Sequence, residues 1–152
     1  MSSALNQRIQ DDLKAALLGG DRFAAETLRG LKAAILNVEV AESKRDTGLD
    51  DAAIEQIVAR EVKKRNESAL IYDQNGRVES AAQERKEIEI LSVYLPQQLS
   101  EAEITTLVDR IIAELGVSGP AGMGQVIGAV KKQVGNTADG ATVARIVKSA
   151  LN

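Results

Sequence analysis

The chain has 152 residues and a formal net charge of −3. That length allows one ordinary domain or two small ones, with enough chain to bury a core. It contains no cysteine and no histidine, which excludes disulfides, thiol nucleophiles, cysteine–metal sites and every serine–histidine triad.

Hydrophobic residues make up 44% and charged residues 27%, the balance of a soluble globular protein. The only aromatics are Phe23, Tyr72 and Tyr94, so the core must come mainly from Leu, Ile, Val and Ala. A negative net charge gives no global field that would draw the chain onto nucleic acid. Any such contact must be a local patch. No apolar run approaches the ~20 residues that span a bilayer. The start, "MSSALNQRIQDDLKAALLGG", resembles neither a signal nor a transit peptide. The expectation is a cytoplasmic protein with no membrane partner.

The first helix is expected over about residues 3–18, where Leu5, Ile9, Leu13 and Leu17 recur every four residues. "GGD" ends it, and Asp21 can cap the next helix. That second helix is expected to run to about residue 44, with Phe23, Leu28, Leu31, Ile35 and Val38 on its apolar side. "SKRDTGLDD" breaks the pattern. Asp50 or Asp51 can cap a third helix whose Ile54, Ile57, Val58, Val62 and Ile71 are expected to face inward. "QNG" is a turn signal. A fourth helix carries Ala81, Ile88, Leu91 and Tyr94 and stops at Pro96.

"LPQQLS" is the clearest boundary. Ser100 and Glu103 then form the S-x-x-E capping box of a fifth helix with Ile104, Leu107, Val108, Ile111 and Leu115, ending at Gly116. A sixth helix holds Val126, Ile127, Val130 and Val134. Asp139 can cap a seventh with Val143, Ile146, Val147, Ala150 and Leu151. No segment alternates with period two, so no strand is expected. The predicted fold is all-α: four helices over residues 1–95, and a small three-helix domain over residues 96–152.

"GMGQVIGAVKKQVG", residues 122–135, invites a nucleotide-loop reading, which fails. The spacing is G-x-G-x-x-x-G, no strand precedes it, and neither Lys131 nor Lys132 follows a glycine. Gly122 and Gly124 are expected to open the sixth helix and Gly128 to allow close packing. "GNTADG" lacks the acid ladder of a calcium loop. Glu84 and Glu87 share a helix face, but Arg85 and Lys86 interleave with them, and a solvated charged face is expected. No cofactor is expected.

Basic residues cluster at "KKR", residues 63–65, and in the tail. Lys131 and Lys132 end the sixth helix, where positive charge suits the dipole. Arg145 and Lys148 lie one turn apart on the seventh. The tail's five basic residues balance its five acids, so the net acidity lies in residues 1–95. Such clusters can hold RNA phosphates. From charge alone, the favoured reading is ordinary helix-end cations on a solvated surface.

"YLPQQLSEAEI" and "GMGQVIGAVKKQVGNTADGATVARIVKSAL" resemble the tail of the GatB/YqeY family. "LRGLKAAILNVEV", "EVKKRNES" and "GRVESAAQERKEIEILSVYLP" resemble the helical front half of its stand-alone members. Pro96, Met123, Gly124, Gly135, Asp139 and Gly140 match the family pattern. Gly122 stands where the family often has aspartate, and Gln125 where it often has lysine. In this family the tail is shared with the B subunit of the glutamine-dependent aminoacyl-tRNA amidotransferase.

The resemblance implies a tail that helps hold tRNA. It also implies kinship to carbon–nitrogen ligase activity with glutamine as amido donor, although that subunit's catalytic cradle is absent from this sequence. Three readings follow. The first is a non-catalytic tRNA-binding module using Lys131, Lys132, Arg145 and Lys148. The second is an adaptor for amidotransferase subunits or another translation protein. The third is an amidotransferase accessory enzyme.

Overall fold

In the computed structural model, which describes residues 2–152, a carboxylate or hydroxyl marks the start of most helices. α1 (Ala4–Leu18) begins at Ser3, whose hydroxyl accepts from the Asn6 amide at 3.1 Å. Asp21 does the same for α2 (Arg22–Ala41), and Asp50 for α3 (Asp51–Gln74). Each cap satisfies a donor that the first helical turn leaves unpaired. α4 (Val78–Ser92) follows a tight turn at Asn75–Arg77 and lies against α3 as an antiparallel hairpin.

The described residues form two compact units, one ending at Leu95 and the other running Pro96–Asn152. In the first, α1 to α4 close around Ile9, Leu28, Leu31, Ile35, Ile54, Val58, Leu91 and Tyr94. Each large aliphatic side chain buried here contributes about 1.5–3 kcal/mol. Tyr94 supplies the polar edge of this core. Its hydroxyl donates to Asp12 at 2.6 Å, and the Arg8 guanidinium lies 5.0 Å from its ring centre. Burial, then the Asp12 hydrogen bond and charge, push the phenol well above its ordinary range.

The second unit holds α5 (Glu101–Leu115), α6 (Met123–Val134) and α7 (Gly140–Leu151). The capping box of α5 is complete: Ser100 Oγ accepts from the Glu103 amide at 3.1 Å, and Glu103 Oε2 accepts from the Ser100 amide at 2.8 Å. Gly116 ends α5 at φ 64, a left-handed turn that glycine adopts without strain. The three helices pack on one another around Ile104, Val108, Ile111, Val126, Val130, Val143 and Val147. The described residues hold seven α-helices and no strand, so the all-α expectation stands.

Several details differ from the sequence reading. α2 stops at Ala41, short of residue 44. Ser43 takes φ 56 and the Lys44 amide donates back to the Glu39 carbonyl, closing the helix end. Leu17 is 49% exposed. Four-residue steps drift by about 40° each on a helix, so by Leu17 the stripe begun at Leu5 has left the core face. Ile71 follows Val62 by nine residues, a rotation of about 180° on a helix, and it is exposed on α3. Phe23 is half-buried, with the Lys86 ammonium 4.9 Å from its ring centre. Ala150 is exposed in the last turn of α7.

Candidate nucleic-acid interface

The outer face of α6 follows from which residues it buries. Val126, Val130 and Val134 point into the core at i, i+4, i+8. Gly124, Gly128 and Lys131, at the complementary spacing, therefore fall on the opposite side, and all three are exposed. A Cβ at Gly124 or Gly128 would meet nothing within 4 Å. Gly128 therefore does not serve close packing within the protein, contrary to the sequence expectation. It leaves a stretch of bare helix backbone facing outward.

Gly122 is the packed glycine of the three. It is buried, and a Cβ there would stand 2.8 Å from the Val117 Cβ. Its smallness lets the loop after α5 lie against the single 3-10 turn Pro120–Gly122 that leads into α6.

The bare ridge ends in charge. Lys131 and Lys132 occupy the last turn of α6, and both are exposed. Lys131 reaches across to the start of α7. Its Cε and Nζ lie 3.4 Å from the position a Cβ on Gly140 would take. Arg145 and Lys148 are exposed on α7. The Arg145 guanidinium is turned toward α5, where it pairs with Glu101. Lys148 lies in the last turn of α7, about 12 Å along the axis from Gly140. Of the four predicted contact residues, Lys131 is placed beside the start of α7, Arg145 is paired with Glu101 of α5, and Lys132 and Lys148 are exposed at the ends of their helices.

Charge is divided between the helices. α5 carries Glu101, Glu103, Asp109 and Glu114 against Arg110 alone. Residues 116–152 carry Lys131, Lys132, Arg145 and Lys148 against Asp139 alone. Asp139 is used as the α7 cap, where its carboxylate accepts from the Thr142 amide at 3.0 Å and from the Thr142 hydroxyl. A tail that is neutral in sum therefore carries its excess positive charge in the α6 and α7 segments and its excess negative charge in α5.

The remaining motif residues build the frame. The Gln98 side-chain amide donates to the Pro96 carbonyl at 2.8 Å and to the Asn136 carbonyl at 2.9 Å. The Leu99 amide donates to the Thr137 carbonyl at 2.8 Å. "LPQQLS" and "GNTADG" are therefore stitched together in space. Gly135 sits between α6 and this stitch at φ 54, ψ −127, a conformation open to glycine and strained for other residues. Met123 packs against the core from the first turn of α6. Pro96, Met123, Gly135, Asp139 and Gly140 shape the segment that presents Lys131 and Lys132.

Sequence reading missed Gln98 entirely, because its two acceptors are backbone carbonyls, one of them far along the chain. It also missed Arg110, which reaches Gln133 on α6 at 2.6 Å. A third miss lies in the first unit. Arg65 of "EVKKRNES" donates to Glu61 at 3.2 Å and to Glu87 on α4 at 3.1 Å. The i, i+4 spacing of Glu61 and Arg65 could have given the first contact.

Glu84 and Glu87 are half-buried on the seam facing Arg65, a correction to the solvated face expected for them. Burial pushes the Glu84 carboxyl up, and the charge of Glu87 adds to this against the pull of Arg65. Burial also acts upward on Glu61. There the hydrogen bonds and charges of Lys64 and Arg65 outweigh it, and the carboxyl lies below its ordinary value.

Among the described residues, no group of three or more acidic side chains is placed to hold a metal ion. No helix among them is long and apolar enough to cross a membrane.

The chain is similar to three fungal proteins named altered inheritance of mitochondria protein 41, mitochondrial. It is 33% identical to that of Lachancea thermotolerans over 115 residues, 74% of this chain and 60% of that protein. It is 30% identical to that of Kluyveromyces lactis over 116 residues, 74% of this chain and 61% of that protein. It is 33% identical to that of Eremothecium gossypii over 110 residues, 70% of this chain and 58% of that protein. The chain thus spans less than two thirds of each relative. The helical front half and the stitched tail are matched together, over residues 6–151, by the model of the Yqey-like protein family, and the chain belongs to that family.

Proposed function

We propose that the unit Pro96–Asn152 is a non-catalytic tRNA-binding module, related to the tail of the glutamine-dependent amidotransferase. The observation that carries this reading is the outer face of α6. Gly124 and Gly128 leave its backbone bare, and Lys131 and Lys132 end it in exposed positive charge. A phosphate chain needs close approach and cations, and takes little notice of base sequence. Arg145 and Lys148 add exposed cations on α7.

A gel shift with tRNA over a salt series tests the proposal. Binding at low salt that fades as salt rises supports it. No binding at low salt overturns it. The chain carries no histidine or cysteine, and we assign it a holding role beside an amidotransferase rather than turnover of its own. We place it in the cytoplasm. The mitochondrial wording in the fungal relatives' names belongs to proteins of greater length.

One observation favours a second reading. Leu70 and Ile71 at the end of α3 and Val78 at the start of α4 are each more than half exposed. Apolar surface at the tip of a hairpin suits a protein adaptor. Affinity capture from a lysate with and without RNase separates the two, since an adaptor keeps its partner after RNA is removed.

A further inference from the structure

α1 and α2 leave between them a groove of about 320 Å³, and its composition is not that of ordinary surface. Glu39 lines it. This residue is 9% exposed, among the few buried polar groups of the chain. Its carboxylate makes no hydrogen bond or ion pair with any described residue, yet its oxygens keep contact with solvent. The groove is the opening it lines.

Most of the Glu39 side chain is thus buried, while its carboxylate is solvated and has no cation or donor to meet among the described residues. Lys32 lies on the same face of α2 two turns earlier, about 10 Å away along the axis. It lines the same groove and makes no ion pair with Glu39. An anion and a cation thus mark the two ends of one groove without meeting. Ile35 and Leu36 form apolar wall between them, and Leu36 is 42% exposed. Across from these, Asn6 and Gln10 on α1 offer side-chain amides one turn apart.

We propose that this groove binds a linear aliphatic ligand with an ammonium at one end and a carboxylate at the other. The ammonium meets Glu39, with the amide oxygens of Asn6 and Gln10 as further acceptors. The stem lies along Ile35 and Leu36. The carboxylate meets Lys32. A simple amine leaves Lys32 unpaired and a simple acid leaves Glu39 unpaired, so the pair of charges selects for both ends. The chemistry is that of an ω-amino acid, free or as the C-terminal lysine of a peptide. The site lies in the first unit and is independent of the tRNA reading.

The test is a titration of the full isotope-labelled chain followed by amide NMR, with ε-aminocaproate, hexylamine and hexanoate as probes. We expect saturable shifts at the amides around Asn6, Gln10 and Glu39 with ε-aminocaproate, and about tenfold weaker binding of each single-ended probe, as loss of one charge-assisted hydrogen bond implies. Glu39→Gln should weaken ε-aminocaproate about tenfold while the remaining spectrum is kept. Lys32→Gln should erase the preference for ε-aminocaproate over hexylamine. N-acetyl-lysine and its methylamide form the second arm. If only the free acid binds, the C-terminal lysine source also fits the site. No saturable shift with ε-aminocaproate, or unchanged binding in both variants, overturns the proposal. If Glu39→Gln does not fold, the Lys32→Gln comparison decides alone.

Discussion

The side-chain amide of Gln98 donates to the backbone carbonyl of Asn136 at 2.9 Å, joining the two most distinctive stretches of the sequence. Because the same amide also holds the Pro96 carbonyl, one exposed side chain fixes both the entry to α5 and the turn between α6 and α7. Gln98→Ala removes both bonds. It should lower the stability of the chain by about 1–2 kcal/mol, at roughly 1 kcal/mol for each net hydrogen bond. Denaturant unfolding measures this. Unchanged stability would mean the stitch contributes nothing.

The glycines of α6 should separate into two kinds. At Gly122 a Cβ would stand 2.8 Å from the Val117 Cβ, which is near the backbone and cannot swing aside. Gly122→Ala should cost about 1–3 kcal/mol, the range for overpacking. At Gly128 a Cβ meets open space. Gly128→Ala should stabilise by about 0.4–1 kcal/mol, since alanine favours helix and restricts the unfolded chain. Thermal unfolding of the two variants checks the contrast. Equal effects of one sign would contradict it.

Glu101 and Arg145 form an exposed pair between α5 and α7. Such pairs contribute at most about 1 kcal/mol to stability. Glu101→Gln should leave unfolding nearly unchanged while releasing the Arg145 guanidinium and removing an acid beside it. Affinity for tRNA at low salt should then rise by about two- to fivefold, with Arg145 adding a phosphate contact. A fall in affinity would show that Arg145 must be held by Glu101 in order to act.

The seam between α3 and α4 carries two carboxylates of opposite behaviour. The folded-state value of Glu84 is raised. Its contribution to stability is therefore full below the unfolded carboxyl range and is lost as pH rises through the folded value. Glu84→Gln, which resembles the protonated form, should raise the unfolding temperature slightly near pH 7 and give no gain near about pH 3. The folded-state value of Glu61 is lowered. Its contribution is present above the unfolded carboxyl range and is lost as pH falls through the folded value. Glu61→Gln should therefore destabilise near neutral pH and become neutral in acid. Both groups are partly solvated, so each effect should stay under about 1 kcal/mol. Circular dichroism melts at the two pH values distinguish the signs.

Local signals were legible wherever the chemistry is local. Asp21, Asp50, Ser100 and Asp139 are caps because a short polar side chain meets the amides of the turn beside it. Gly116 is readable as a helix end because glycine takes, without strain, the left-handed turn that closes a helix. The faces of α5, α6 and α7 followed from apolar spacing over helices of a few turns. The longer stripes of α1 and α3 misled at Leu17, which four-residue steps rotate off the core face, and at Ile71, which lies about 180° around the helix from Val62. Nothing in the sequence places Glu87 beside Arg65, or Gln98 beside Asn136, since those partners meet only through tertiary folding. Glu39 reads as one more acid in a helix, and burial beside a groove is a property of packing. At the candidate interface the cations were legible, but the outward direction of Gly128 was not.

The central claim is that Lys131 and Lys132 hold tRNA phosphates. Its most direct test is the dependence of tRNA affinity on salt, measured for the full chain and for Lys131→Glu/Lys132→Glu. The account predicts that the logarithm of affinity falls linearly with the logarithm of salt. It predicts weaker binding by the double variant, with a slope shallower by about 1.4–1.8, the loss of two phosphate contacts. Identical affinity and slope for the two chains would contradict it.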